Sequence, residues 1–419
     1  MKNPSADRGR TRITSGSEKY QHFFKFVITL LHYDVILLPE HEEDKMTDTK
    51  KTMQDYIASC PAYIRNNIEN SKELTKPAVE EFLKGNYRTI WIVACGSSMN
   101  GSTCARSFIR RYLNCEVKIV APFTFVAAEN DLRDDDMVII VSQSGYSLNA
   151  LEAADTVRQR GRRCLALTGD LKSDLARKCD IAANYGVGRE TVAYVTRGVT
   201  TLALFFMLFA LEAAAASGRI SEEEASELKD QLRTAADINE QVQTKWASFL
   251  EDNYRGLSGM TNAYVCGVGA NMGTAMEGAL KFGETLSFPT TAYEIEEYIH
   301  GPNIQMTPRY SVFLIDGGYG SERIRKIYEG TRIVTDNAYL LTTDSSYTGD
   351  HVFNVPCSLP EEMTPLCFLP FFQLTAWKLT EDLNRWDKHP LQRKMEKYVS
   401  SKSENYTNSP FSLDTPGRQ

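Results

Sequence analysis

The sequence lacks several patterns that mark common classes of protein. Its nine cysteines are odd in number and include no Cys-x-x-Cys pair, which argues against a disulfide framework and against a zinc site. Basic residues are not in excess, since the formal net charge is −7, so nucleic acid is not expected as a partner. These absences favour a cytoplasmic protein with reduced thiols.

The start of the chain also lacks a membrane segment of ordinary length. Its apolar stretch, residues 23–38, contains charged side chains and is short for a membrane span. The polar stretch before it is long and no small-residue cleavage site follows, so a signal peptide is not expected. We interpret residues 1–45 as a doubtful N-terminal extension, with Met46 as an alternative start, and expect no membrane partner.

From Met46 onwards, short apolar runs alternate with helical patterns. The continuous apolar run at residues 89–94 is typical of a parallel strand covered on both faces. Further strands are predicted at 117–120, 137–141, 164–167 and 181–184, and then at 263–267, 310–315 and 338–342. This order predicts an α/β protein with two tandem doubly wound parallel sheets, of the flavodoxin-like kind.

Breaks in the pattern set the predicted domain boundaries. A helical break is predicted at Cys60-Pro61, and Ser221 with Glu224 forms a capping-box pattern that opens a charged helix. The predicted units are a helical lead-in at 46–78, a first α/β domain at 79–218, a linker helix at 219–250, a second α/β domain at 251–390 and a C-terminal tail at 391–419.

Two predicted strand-to-helix turns are rich in serine and glycine. Ser142, Ser144 and Ser147 follow the third strand with Gly145 among them, and the turn Gly96-Ser97-Ser98 follows the first. Hydroxyls and backbone N–H groups at a helix N-terminus can surround an anion. Neither turn ends in Gly-Lys-Ser, so a nucleotide P-loop is not expected. One such turn alone is ordinary, but two at neighbouring strand ends predict a phosphate site.

A second group of residues has acid–base character. Glu277, Lys281 and Glu284 stand at positions i, i+4 and i+7, which places them on one helix face. His300 precedes Gly301-Pro302 and therefore lies on a turn, and an imidazole of ordinary pKa near ~6.5 exchanges protons at neutral pH. An exposed salt-bridged helix face is the alternative, but together with the phosphate turns the group favours proton transfer on a phosphorylated sugar.

These motifs together resemble those of a known family. The strings ACGSS and SQSGYS resemble the sugar isomerase (SIS) domain, and EGALKFGE followed by HGP resembles the second such domain of glucosamine-6-phosphate synthase, over roughly residues 80–390. The resemblance implies that the sugar phosphate is bound by Ser98, Ser142, Gln143, Ser144 and Ser147. Glu190 and Arg197 resemble the stretch that closes the first domain's site, with Arg197 where the synthase has lysine. Tyr146 departs from the family's glutamate.

The resemblance also implies roles for the acid–base group. His300 opens the sugar ring, and Glu284 carries a carbon-bound proton, which it does better with a raised pKa in a partly desolvated pocket. Lys281 holds the enediol oxygen, and Glu277 and Glu297 bind or orient the sugar. A homodimer is implied, in which His300 can reach the site of the neighbouring subunit. No metal or organic cofactor is expected.

Two features of the synthase, its glutaminase cysteine and its tail lysine, help to distinguish between the possible reactions of this chain. No cysteine stands at position 2 or just after Met46, where the synthase's glutaminase nucleophile would lie, so glutamine-dependent synthesis is not expected. The synthase uses a tail lysine for a Schiff base, but here neither Lys394 nor Lys397 falls cleanly on that position, and both are better explained as solubility charges.

The chain resembles most the fructosamine-6-phosphate deglycases, which keep the glutamate–histidine pair, lack the glutaminase and often end in a His-Pro tail. The first prediction is therefore a deglycase that releases glucose 6-phosphate and a free amine or amino acid. An aldose–ketose isomerase or an amino-sugar-phosphate deaminase is the alternative enzyme. A phosphosugar-sensing protein is a third possibility, disfavoured by the lack of a helix-turn-helix domain.

Overall fold

Residues 51–412 are described by the structure, a computed structural model, and form two five-stranded parallel sheets covered by helices. The interpretation of residues 1–45 lies outside these residues. The predicted fold class, α/β with two tandem doubly wound sheets, is confirmed.

The first half begins with two helices and continues with strictly alternating strands and helices. Its elements are α1 (Met53–Glu69), α2 (Ser71–Lys84), β1 (Thr89–Val93), α3 (Ser97–Leu113), β2 (Glu116–Val120), α4 (Pro122–Ala127), β3 (Asp136–Val141), α5 (Leu148–Gln159), β4 (Cys164–Thr168), α6 (Asp174–Lys178), β5 (Ile181–Asn184) and α7 (Arg197–Ala216). The sheet has the order β2-β1-β3-β4-β5 with every pair parallel.

The second half repeats this plan after a long helix. Its elements are α8 (Glu222–Ser258), β6 (Ala263–Gly267), α9 (Asn271–Leu286), β7 (Thr290–Glu294), α10 (Ile295–Ile299), β8 (Ser311–Asp316), α11 (Ser321–Arg332), β9 (Ala338–Thr342), β10 (Val352–Asn354), α12 (Pro365–Asp382) and α13 (Pro390–Tyr398), with short 3-10 turns between some of them. The order β10-β9-β8-β6-β7 has the topology of the first sheet when its strands are counted in chain order.

This strand order fixes where a ligand can bind. In a sheet of this order the winding reverses between β1 and β3, and ligands bind outside the carboxyl ends of the strands at that reversal. The turn after β1 contains Gly96–Ser98, and the turn after β3 contains Ser142–Ser147. The two serine turns therefore border the same crevice, as the sequence predicted.

The helical break predicted at Cys60-Pro61 is wrong. Helix α1 continues through Pro61 to Glu69 and is capped by Asn70. A proline inside a helix removes the N–H that would bond the carbonyl four residues earlier, here that of Ile57. The side chain of Gln243 on α8 donates to the Ile57 carbonyl oxygen at 3.0 Å instead. A tertiary contact thus satisfies the group that the proline leaves open.

Other differences lie at the edges of the second half. The sequence analysis missed β7 and β10, which are edge strands, and β7 is only partly buried along its length. Helix α8 extends to Ser258, beyond the predicted end of the linker helix, and its buried face packs against α1 and α12. Its start is as predicted, since Ser221 Oγ accepts a hydrogen bond from the Glu224 N–H at 3.0 Å.

Helix α7 is the one helix of residues 51–412 that is long and apolar enough to cross a membrane. However, 89% of its most apolar window is buried inside the fold. It packs against α1, α2 and α3, as the core helix of an α/β domain does.

Candidate functional site

The serine loop between β3 and α5 folds its hydroxyls toward one another. Gly145 has a φ of +73°, and a Cβ there would overlap Ser173, so no other residue fits without strain. Its N–H donates to the Ser142 carbonyl at 2.9 Å, which closes the turn. Ser142 Oγ lies 3.2 Å from Ser147 Oγ, and Ser142 and Ser144 are buried. The loop therefore gathers several hydroxyls around the start of α5.

Tyr146 lies where the SIS pattern has glutamate, and its side chain turns into the interior. Its hydroxyl donates to Asp170 Oδ2 at 2.9 Å. Tyr146 thus stabilises the back of the loop, and the substitution leaves the three serines in place.

Gln143 and Glu190 join the serine loop to the start of α7. Gln143 Nε2 donates to Glu190 Oε2 at 2.7 Å, and the other Glu190 oxygen accepts from the N–H groups of Thr196 and Arg197, both at 2.8 Å. A Cβ at Gly198 would overlap the Gln143 amide, so this close approach requires glycine. Glu190 therefore acts as an anchor for α7 that orients Gln143.

The side chain of Arg197 is not brought to the serine loop. Its guanidinium donates to the carbonyls of Val187 and Arg189 at 2.9 and 2.8 Å, and its carbon centre lies 3.5 Å from the centroid of the Tyr63 ring. The residue is buried. These contacts give Arg197 a role in holding the fold, in place of the sugar contact that the family pattern implied.

The Gly96–Ser98 turn connects the first half to the acid–base helix of the second. Gly96 has a φ of +57° and faces open space. Ser97 Oγ donates to Glu277 Oε1 at 3.0 Å, and Asn100 Nδ2 donates to Glu277 Oε2 at 2.8 Å. Asn149, after the serine loop, donates to Cys95 Sγ at 3.5 Å. Both turns and α9 are thus linked by direct contacts.

The three charged residues on α9 differ in their access to solvent. The side chains of Glu277 and Lys281 are 0% and 1% exposed, whereas that of Glu284 is 27% exposed. Lys281 Nζ lies 3.1 Å from Glu277 Oε1, donates to Ser97 Oγ at 3.3 Å and forms an ion pair with Glu284. Only Glu284 presents a face to an incoming molecule, so Lys281 is placed to position it.

Burial sets the proton affinities of this group. Desolvation raises the pKa of Glu284 above that of an ordinary glutamate, although the Lys281 ammonium partly opposes this. Desolvation alone would lower the pKa of Lys281. The carboxylates of Glu277 and Glu284 outweigh this effect, so the pKa of Lys281 is raised. The pKa of Glu284 therefore lies above that of an ordinary glutamate although an ammonium lies beside it.

Glu297 lies on α10 and His300 caps that helix, so neither residue is on α9 or in the serine loop. Both are exposed, His300 at the end of α10, where its Nδ1 lies 2.6 Å from the Glu296 carbonyl oxygen. Among residues 51–412, no contact joins His300 to Glu284 or to the serine loop. The neighbouring Ile304 is 85% exposed, so this part of the surface is open to a second protein.

The sequence analysis missed two lysines near the site. Lys388 Nζ donates to the Thr285 carbonyl at 2.6 Å and acts electrostatically on Glu284, and Lys402 Nζ donates to the hydroxyls of Ser144 and Ser147, both at 3.0 Å. The lysines considered from the sequence, Lys394 and Lys397, are exposed on α13. No pattern marks Lys402, since only the packing of the tail brings it to the loop.

The arrangement of Glu284, Lys281 and the two serine turns suits proton transfer. Within the described part of the chain, no group of three or more His, Cys, Asp or Glu side chains is placed to hold a metal ion. A half-open carboxyl with a raised pKa, next to a buried ammonium that also bonds Ser97 of the Gly96–Ser98 turn, can move protons on a bound molecule.

Comparison with known proteins finds a family match within the first half. Residues 86–211 match the family model of the SIS domain. Glutamine–fructose-6-phosphate aminotransferase (isomerizing) of Clostridium tetani is 28% identical over 278 residues, or 64% of this chain and 43% of that protein. The corresponding protein of Thermotoga maritima is 27% identical and covers 79% of this chain and 55% of its own length. The chain thus spans about half the length of the curated relatives it matches.

Solved structures share the fold of both halves. A candidate phosphosugar isomerase from Clostridium difficile 630 has a TM-score of 0.77 and 22% identity, covering 84% of this chain and 99% of its own. Glucosamine-6-phosphate deaminase from Thermotoga maritima has a TM-score of 0.59 and 22% identity, covering 77% and 95%. Residues 86–211 are therefore similar to a SIS domain, and the chain shares the fold of these solved structures across both of its halves.

Proposed function

We propose that this SIS-domain chain is a phosphosugar-processing enzyme, and specifically a deglycase that cleaves a fructosamine 6-phosphate. One observation carries the proposal. The half-open carboxyl of Glu284 is tied through Lys281 to Ser97, beside the turns of the crevice in the first half. A sugar whose phosphate lies in the serine loop would present its other end to that carboxyl.

The proposed reaction needs two proton movements at adjacent carbons. The Glu284 carboxylate accepts a proton from C1 of the open-chain ketosamine, which gives an enaminol. Return of a proton to C2 gives an imine between C1 and the amine. Water adds to the imine, and the C–N bond breaks to yield glucose 6-phosphate and the free amine. No oxidation or reduction occurs, so no redox partner is required.

Lys281 acts in this proposal through Glu284. Because its ammonium is buried and bonded to Glu277, Glu284 and Ser97, it fixes the carboxyl and limits the rise in its pKa. It is therefore a positioning residue rather than a group that holds the enediol oxygen directly.

His300 completes the site from a second subunit in this proposal. Its exposure, and the absence of a contact with Glu284 among the described residues, fit a homodimer or higher homo-oligomer. There the imidazole would transfer the proton that opens the sugar ring on the neighbouring chain.

The test compares substrates and one variant. The wild-type protein is incubated with fructoselysine 6-phosphate and with glucosamine 6-phosphate, and glucose 6-phosphate, fructose 6-phosphate and ammonia are assayed. We expect glucose 6-phosphate from the first substrate, and a loss of about 10²–10⁴-fold in kcat for Glu284→Gln with phosphosugar binding retained. Fructose 6-phosphate plus ammonia from the second substrate would indicate a deaminase. Tight binding without turnover of any phosphosugar would indicate a sensor.

A further inference from the structure

The C-terminal segment, residues 399–412, is docked across the serine loop. The Leu148 N–H donates to the Ser401 carbonyl at 3.1 Å, and the Ser403 N–H donates to the Tyr146 carbonyl at 2.9 Å. These bonds flank an antiparallel bridge between Ser147 and Lys402. The segment therefore has a fixed register against the loop, as a short strand would.

Side chains on both sides of Lys402 hold the segment in this register. Ser403 Oγ donates to Asp174 Oδ2 at 2.6 Å, and Asn405 Nδ2 donates to Asp174 Oδ1 at 2.9 Å. Farther on, Phe411 is buried against Gly169, where a Cβ would lie 2.5 Å from the Phe411 ring. The position of Lys402 is thus determined by contacts before and after it.

The ammonium of Lys402 points into the loop and has no carboxylate partner among residues 51–412. Its hydrogen bonds go to the hydroxyls of Ser144 and Ser147, both at 3.0 Å, and its charge interacts with the Cys95 thiol of the other turn. Desolvation lowers the pKa of Lys402. A partly buried cation that meets only neutral groups is costly unless an anion joins it.

The serine loop itself lacks a positive charge. Residues 142–147 are Ser-Gln-Ser-Gly-Tyr-Ser, and the arginine nearest in the family pattern, Arg197, is turned into the core. The loop residues and Arg197 therefore offer a phosphate monoester dianion hydroxyls and N–H groups but no cation. The side chain of Lys402 supplies an ammonium group at the serine loop.

We propose that Lys402 is a phosphate-binding residue of the sugar site, supplied by the docked C-terminal segment. The inference rests on the proposed function for the class of ligand, a sugar phosphate. When the ligand enters, the ammonium exchanges its bonds to the serine hydroxyls for bonds to phosphate oxygens, while the hydroxyls bond the same oxygens. The residue thereby selects phosphorylated over unphosphorylated sugars.

The test measures binding by calorimetry, so it does not depend on turnover. Wild type, Lys402→Met, Lys402→Arg and the control Lys394→Met are titrated with glucose 6-phosphate, inorganic phosphate and unphosphorylated glucose. We expect Lys402→Met to weaken binding of both phosphate ligands by about 10- to 100-fold, the range of charge-assisted hydrogen bonds. We expect Lys402→Arg to retain most of the affinity and Lys394→Met to match wild type. Thermal melting checks that each variant is folded.

Other outcomes overturn the inference in distinct ways. Equal or tighter phosphate binding by folded Lys402→Met would mean that the lysine merely fills the loop, and the proposed function would stand. Failure of Lys402→Arg to restore binding would contradict a role for the charge. Wild-type protein that binds no sugar phosphate would remove the proposed function, and this inference with it.

Discussion

The proton affinity of Glu284 is the balance of effects that act in opposite directions. Burial raises its pKa, the Lys281 ammonium lowers it, the Glu277 carboxylate raises it and the Lys388 ammonium lowers it, and the net result is a raised value. A general base must be ionised to accept a proton. Activity should therefore fall as the pH drops through this raised pKa, at a higher pH than for an exposed glutamate.

Replacing Lys388 tests this balance at a group outside the proposed chemistry. In Lys388→Met one of the cations that lowers the pKa of Glu284 is gone, so that pKa rises further. The acid limb of the kcat/KM profile should move to higher pH, so that the variant loses several-fold more activity than wild type at pH values below the limb. The profile is measured on glucose 6-phosphate release, with Lys394→Met as the control. A limb that stays in place or moves to lower pH would contradict the assignment of Glu284 as the base.

At the scale of elements, the crossing of α3 and α9 determines how the two halves form one site. A Cβ at Gly273 on α9 would lie 2.5 Å from the Cys104 backbone nitrogen and 2.6 Å from the Asn100 carbonyl oxygen on α3. These are backbone atoms that cannot move alone. Because the same two helices present Ser97 and Glu277 to each other, their separation sets the geometry of the acid–base group.

Gly273→Ala should push the two helices apart. Overpacking of this kind costs about 1–3 kcal/mol of unfolding free energy, and the displaced support of Glu284 should lower kcat by about tenfold or more. The matched control is Gly330→Ala in α11, where a Cβ meets nothing within 4 Å and helix propensity should add about 0.5–1 kcal/mol. Denaturant unfolding and kcat are compared for both. Equal effects of the two substitutions on unfolding free energy and on kcat would show that an added methyl group fits between α3 and α9.

Elements with strong local patterns could be predicted from the sequence, and elements defined by their neighbours could not. The bounds of β6 and β9 match their predictions because each is an apolar run with a clear end. Strand β7 was missed because it is a partly buried edge strand. The passage of α1 through Pro61 depends on Gln243 from a distant helix, which no local pattern reveals.

The same distinction applies to the candidate site. The serine loop and the α9 face each lie within one element, so spacing was enough to find them. Lys402 reaches the site only because the tail docks antiparallel to Ser147, and the direction of the Arg197 side chain depends on the Tyr63 ring beneath it. These features follow from tertiary packing, which a linear pattern does not encode.

At the scale of the whole molecule, the two halves share a topology but are not equivalent as sites. In the second half, Glu361 Oε1 accepts from the N–H groups of Ala270 and Asn271 at 2.9 and 3.2 Å, at the start of α9. The matching turn in the first half is the open one at Gly96. A glutamate side chain thus fills the turn after β6, whereas the equivalent turn after β1 is open, so the two halves differ at this position.

The proposed homodimer predicts that two differently inactivated subunits restore activity when they assemble with each other. If His300 acts on the neighbouring chain, a hybrid of Glu284→Gln and His300→Ala subunits has one site with both defects and one intact site. Co-expression with two different affinity tags and purification on both isolates this hybrid, which should show about half of wild-type kcat per dimer, although each parent is nearly inactive.

The control for this experiment is a hybrid of Glu284→Gln and Lys281→Met subunits. Because Lys281 and Glu284 contact each other within one chain, both sites of that hybrid are defective, and no activity should return. Recovery in the first hybrid but not in the second therefore indicates that the histidine crosses between subunits. A purified first hybrid as inactive as its parents would place His300 in the site of its own chain, whereas a His300→Ala parent with wild-type activity would place the histidine outside the site.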